Sequence, residues 1–97
     1  MNGSDALNLV KTTVEGMSTS LGYPTLASVS AQTELFGGST GVDSLSVVQI
    51  IAEVERAARE KYGRSIVLAD ERAMSRRSSP YRTVGTIAEL LEERLGE

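Results

Sequence analysis

The chain has 97 residues, a net charge of -3, and neither cysteine nor histidine. Those absences exclude disulfides, protein thiol chemistry, Cys- or His-based metal sites and a Ser-His-Asp triad, and they remove the commonest general base. Apolar residues make up 40% of the chain and aromatics 4%, so the core must be aliphatic, and no stretch approaches the roughly 20 apolar residues of a membrane span.

Ninety-seven residues predict a single domain over 1–97. No basic stretch followed by an apolar run opens the chain, so no signal peptide is expected and the expected compartment is the cytoplasm.

Residues 5–21 are predicted to form the first helix. Leu7, Val10, Val14, Met17 and Leu21 recur at intervals of three or four. Ser4 or Asp5 is positioned to cap its start, and Gly22 with Pro24 stops it. Residues 22–42 then show no sustained period, and Gly22, Pro24, Gly37, Gly38 and Gly41 mark them as a connection. A connection that long needs anchoring, and Leu26, Val29, Leu35 and Phe36 are the expected anchors. A single helical turn is expected over residues 30–35.

Residues 44–60 carry the strongest helical pattern. Asp43 is a good N-cap, and no Gly or Pro interrupts the run before Gly63. Five β-branched residues lie in it, but the run is too long for an ordinary strand. At helical spacing Val47, Ile50, Ile51, Val54, Ala57 and Ala58 form one broad apolar face. Ser46, Gln49, Glu53, Arg56 and Glu60 form the polar face, with Leu45, Val48 and Ala52 to one side of it. These last three are apolar residues that the core does not obviously use.

Residues 61–83 form a second long connection. Residues 65–68 read as extended or core-anchoring, residues 70–74 as a short helical turn, and residues 75–80 as a polar loop. Met17 and Met74 are expected to fill gaps in the core. A final helix is predicted over 84–95, with Thr83 as N-cap, Val84, Ile87, Ala88, Leu91 and Leu95 on one face, and Glu89, Glu92 and Glu93 towards solvent. The expected fold is therefore all-α, a small three-to-four-helix bundle with long first and second connections.

Charge is segmented along this layout. Residues 1–55 hold six acids and one lysine, net -5; residues 56–82 hold eight bases and three acids, net +5; residues 83–97 hold four acids and one arginine, net -3. The arginines of 72–82 read as a solvated loop. An acidic chain with few aromatics is a poor nucleic-acid binder, so none is expected. Scattered carboxylates without His or Cys assemble no catalytic group, so the protein is not expected to be an enzyme.

Gly41-Val42-Asp43-Ser44-Leu45 brings a serine out of a glycine-containing loop onto the start of the long helix. There the hydroxyl is exposed, and the helix N-terminus favours an attached negative charge. Local chemistry alone also allows a plain N-cap role for Asp43-Ser44.

Together, Glu34-Leu35-Phe36, Asp43-Ser44-Leu45 with the helix after it, and Thr83-Val84 entering the last helix resemble the acyl carrier protein family. The resemblance is closest over 34–60 and extends over 81–95. It implies the bundle of that family and a 4'-phosphopantetheine arm on Ser44, added by a phosphopantetheinyl transferase. It implies that the chain catalyses nothing itself and carries acyl groups as thioesters for acyl-transfer, synthase or acyl-activating enzymes of fatty acid, polyketide or related lipid pathways, working as a monomer. Asp43 and Leu45 flank the attachment point, and Leu45, Val48, Gln49, Ala52 and Glu53 match partner-facing positions, with Glu55 beside them. Arg56, Arg59, Lys61 and Arg64 depart from the family's acidic second helix, and the 66–84 connection is longer than usual. Both departures point to a specialised, stand-alone member. An aminoacyl or peptidyl carrier shares the motif. A helical interaction module without the arm, binding through 56–82, is the alternative from another class.

Overall fold

Helix α1 spans Gly3–Leu21 in the computed structural model, which describes residues 3–35, 42–75, 77 and 79–96. It begins two residues before the expected start, so Ser4 and Asp5 lie within its first turn instead of capping it. Ala6, Leu9, Val10 and Val14 are buried along one stripe, and Leu7, Met17 and Leu21 pack partly against the core. Gly22 and Gly63, with φ of 80° and 69°, end α1 and α2 in the left-handed region where a Cβ is disfavoured.

Helix α2 spans Ser44–Tyr62, α3 spans Glu71–Met74, and α4 spans Val84–Leu95. The fold is a small all-α bundle, as expected, with no strand among the described residues. α1 packs against both α2 and α4. The core is aliphatic: Val47, Ile50, Ile51, Val54 and Ala58 from α2 and Val84, Ile87, Ala88, Leu90 and Leu91 from α4 belong to one buried cluster with the inner face of α1. Ala57 is only partly buried, and Leu90 extends the buried face of α4 beyond the expected stripe. Among the described residues no helix is long and apolar enough to cross a membrane.

The first connection differs from expectation in where it turns. Its helical segment is a 3-10 turn at Pro24–Ala27; residues 30–33 make only a non-helical turn, with Thr33 N donating to Ser30 O at 3.1 Å. Proline at the first turn presets φ and needs no N–H partner there, which favours the earlier site. Residues 31–35 instead run beside the start of α4. Gly85 N donates to Ala31 O at 2.8 Å, Val84 N to Thr33 O at 3.1 Å and Leu35 N to Arg82 O at 2.6 Å, around an isolated Glu34–Thr83 bridge. Leu26, Val29 and Leu35 are buried as predicted. Phe36, Gly37, Gly38, Gly41 and Arg76 lie outside the described residues.

Each long connection is tied to a helix by a carboxylate. Glu15 of α1 accepts from Val29 N at 3.0 Å. Glu55 of α2 accepts from Leu68 N at 2.6 Å and Ala69 N at 3.2 Å. Paired backbone donors satisfy the connection without a regular element. In residues 65–68, Ile66 and Leu68 are buried and Val67 is exposed, so the segment anchors the core without forming a strand. Met74 is 65% exposed, against expectation, because the short α3 turns only Ala73 inward.

α4 opens with a complete capping box. Thr83 Oγ1 accepts from Thr86 N at 3.1 Å, and Thr86 Oγ1 accepts from Thr83 N at 3.0 Å. Within the first turn, a Cβ on Gly85 would stand 2.8 Å from the Ala31 carbonyl oxygen. That neighbour is backbone, so it can yield only by moving the 31–35 segment. Gly85→Ala is expected to destabilise the protein by about 1–3 kcal/mol, the usual cost of forced overpacking. Chemical denaturation would measure it; an unchanged midpoint would show that the segment gives way freely.

Candidate functional site

Ser44 is the first residue of α2 and is exposed. Its position follows from the cap before it. Asp43 has extended backbone, with φ -80° and ψ 165°, and its Oδ1 accepts from Ser46 N at 2.7 Å. That amide, and to a smaller degree the Tyr23 hydroxyl, hold the Asp43 carboxyl below its ordinary value. The cap is therefore ionised at neutral pH, where it complements the positive end of the helix.

Tyr23, at the end of the first connection's opening turn, closes the arrangement. Its hydroxyl oxygen accepts from Asp43 N at 3.3 Å and from Ser46 Oγ at 3.4 Å. Ser46 is consequently buried, not on the polar face where periodicity placed it. Ser44 thus stands free between two residues that are both tied down.

Beside Ser44 a groove of about 580 Å³ opens between α2 and the 69–81 segment. Val47, Val48, Ile51 and Ala52 form its α2 wall, and Ala73 and Met74 stand opposite. From Ser44 to Ala52 this wall runs about 12 Å at the helical rise per residue. Its volume falls within the ordinary range for small-molecule pockets, roughly 300–1,000 Å³.

Leu45 and Val48 are 67% and 60% exposed, and Ala52 and Gln49 are exposed with them. The structure therefore brings Ser44, Leu45, Val48, Gln49 and Ala52 onto one accessible side of α2. Glu53 lies on the same helix but is engaged by Arg56, which also reaches Glu60 at 3.0 Å. Such surface pairs contribute little stability, since solvent screens them. Glu55 faces the groove's far side, where its carboxylate holds Leu68 and Ala69. It has a structural task, unlike its polar-rim neighbours.

Several residues that shape the site carry no periodic signature. Tyr81 donates its hydroxyl to Leu68 O at 2.7 Å, bracing the same segment. Tyr23 and Tyr81 are aromatics in the two long connections, next to Pro24 and Pro80. That is the one sequence feature that marks them as anchors. Arg94 and Asp70, 24 residues apart, pair at the base of α3. Nothing local predicts that pairing.

The Arg94 guanidinium, then the Ala73 amide, lower the Asp70 carboxyl to about 2 from an ordinary 3.8. A depressed carboxylate stabilises the fold above its unfolded value and loses that contribution as pH falls towards its folded one. Wild type is therefore expected to lose stability between about pH 3.8 and pH 2 through this group. Asp70→Asn should lack that component, so its pH–stability curve should be flatter there. Parallel curves from acid-titrated thermal melts would contradict this.

No family model matches this chain, and comparisons with curated proteins and with solved structures likewise found no match.

Proposed function

We propose that this protein is an acyl carrier that holds its cargo on a 4'-phosphopantetheine arm attached to Ser44. The observation that carries the reading is an exposed serine at the N-terminus of α2, opening directly onto an apolar groove. The residues suit the group. The Ser44 hydroxyl is accessible to a separate transferase, and the helix N-terminus favours the negative phosphodiester by about 0.3–1 kcal/mol. In the transfer, Ser44 Oγ bonds to phosphorus, the hydroxyl proton departs to the transferase, and the nucleotide portion of coenzyme A leaves.

Once bound, the arm supplies the thiol that this cysteine-free chain lacks, and that thiol carries the acyl group as a thioester. The chain's own residues present the arm. Asp43 and Tyr23 hold the start of α2, and Leu45, Val48, Gln49 and Ala52 offer a mixed apolar and polar surface to partner enzymes. Glu53 borders that surface. Charges at such a rim mainly govern encounter rate and specificity.

The apolar groove favours an aliphatic acyl cargo over an aminoacyl or peptidyl one, whose polar groups would lose hydration there without partners. The basic stretch after Glu55 fits a specialised carrier with dedicated partners. Intact mass after incubation with coenzyme A and a broad-specificity phosphopantetheinyl transferase tests the reading. One added phosphopantetheine is the expected result. A folded protein that gains nothing would leave the interaction module, with its basic 56–82 segment, as the better description.

A further inference from the structure

The groove beside Ser44 has one strong wall and one weak wall. α2 is nineteen residues long and buries six side chains. α3 is four residues long and buries only Ala73. A single helical turn is not stable alone, because nucleation fixes several dihedrals for one hydrogen bond. The placement of α3 must therefore come from tethers outside it.

Those tethers converge on Asp70. Its Oδ1 accepts from Ala73 N at 3.0 Å, capping α3. The same carboxylate is gripped by Arg94 of α4, with Nη1 on Oδ2 and Nη2 at 3.2 Å from Oδ1. Arg94 is only 6% exposed, so its charge is held largely inside the protein with Asp70 as counter-ion. A planar guanidinium meeting both carboxylate oxygens fixes direction as well as distance. Upstream of Asp70, Glu55 holds the amides of Leu68 and Ala69. Met74, at the rim of α3, is mostly exposed.

We propose that the Asp70–Arg94 pair is a latch that sets the width of the groove, with α3 as its movable wall. Asp70 and Arg94 are positioning residues for whatever aliphatic chain seats between α2 and α3. The inference rests on reading the groove as the cargo seat. A partly buried ion pair is a poor source of net stability, because desolvation offsets much of the attraction. Its contribution here is geometric: it couples the groove wall to α4, the helix farthest from Ser44 in sequence. The Arg94 guanidinium and the Ala73 amide hold the Asp70 carboxyl well below its ordinary value, so the pair is charged at neutral pH.

The test uses the full chain and a neutral apolar dye, N-phenyl-1-naphthylamine, whose fluorescence rises in apolar surroundings. Ala52→Phe, which fills the groove from its exposed α2 wall, serves as the control for dye location. Asp70→Asn keeps an oxygen for the Ala73 amide but removes the charge that Arg94 grips. It is expected to weaken dye binding about tenfold, the factor that follows if the seated position of α3 falls to roughly one molecule in ten. Amide exchange at Ala73 and Met74 should accelerate, while exchange in α1 stays as in wild type. A merely structural loss would instead raise exchange throughout the core.

If wild type binds no dye, or Ala52→Phe binds it equally well, the reading of the groove as a seat fails, and the latch with it. If wild type binds and Asp70→Asn matches it in affinity and in Ala73 exchange, the latch alone is overturned. Should Asp70→Asn prove unfolded by circular dichroism, Arg94→Lys decides by the same two readouts. It keeps the charge but cannot make the two-pronged contact.

Discussion

Ser44→Ala is expected to abolish phosphopantetheine loading completely while leaving the fold intact. The loss is total because Ser44 supplies the hydroxyl that bonds to phosphorus, and alanine has none. The fold should survive because Ser44 is exposed and the N-cap is made by Asp43, whose carboxylate accepts from Ser46 N at 2.7 Å. Exposed substitutions away from caps and packing usually stay within about 0.5 kcal/mol. Intact mass and circular dichroism on the same sample separate the two effects. Loading of the Ser44→Ala protein would place the arm elsewhere and sink the proposed function. A cooperative melt matching wild type, with no mass gain, would satisfy both halves.

Ile50→Ala is expected to be strongly destabilising. Ile50 is completely buried in α2, where it belongs to the single aliphatic core shared with α1 and α4. Truncating a buried isoleucine to alanine costs about 2–5 kcal/mol through lost transfer energy and the cavity left behind. A domain of this size commands only about 5–10 kcal/mol in total. The substitution should therefore bring the protein close to its unfolding midpoint near room temperature, read by urea titration. Ile50→Val, at about 0.5–1.5 kcal/mol, should remain folded.

Leu45→Ala gives the matching contrast on the same helix. Leu45 is 67% exposed, so its truncation should shift stability by no more than about 0.5 kcal/mol. If Leu45 meets a partner enzyme, that variant loses partner activity without losing fold. Two leucine-sized residues five positions apart would then separate core from docking surface. A Leu45→Ala melt as low as that of Ile50→Ala would mean the surface assignment of Leu45 is wrong.

The all-α fold was legible because its evidence is local. The spacing of Val47, Ile50, Ile51, Val54 and Ala58 announces a helix whose buried side is already known, and all five are buried. Asp43 and Thr83 mark helix starts through side-chain chemistry that needs only the next three residues, and both caps form. Ser44 was legible as a candidate for the same reason: an N-cap followed by a helix places the next residue outward. The helical phase set Leu45, Val48 and Ala52 beside the polar face without deciding between core and surface, and all three are exposed. A fold, however, does not by itself assign a function, and the carrier reading stands on the serine and its groove.

The connections were less legible. Residues 30–35 have the composition of a helical turn, yet they pair with the start of α4, and the 3-10 turn falls at Pro24–Ala27. Polar residues misled in the same way. Ser46 belongs to the polar face by phase, but the Tyr23 hydroxyl gives it a buried partner. Glu55 looks like a solvated neighbour of Glu53, but it secures two backbone amides of the second connection.

Local pattern was enough for the three long helices, the caps of α2 and α4, the buried stripe of α2 and the exposed serine at its head. Each depends on residues within about one turn of one another, where spacing along the chain is spacing in the molecule. Packing in three dimensions set the meeting of Arg94 with Asp70, the hold of Glu55 on Leu68 and Ala69, and the close approach of Gly85 to Ala31. It also decided that a groove lies beside Ser44 at all. Those features join residues 13 to 54 positions apart, and their partners are selected by how α1, α2 and α4 bury one common core, which no local pattern specifies.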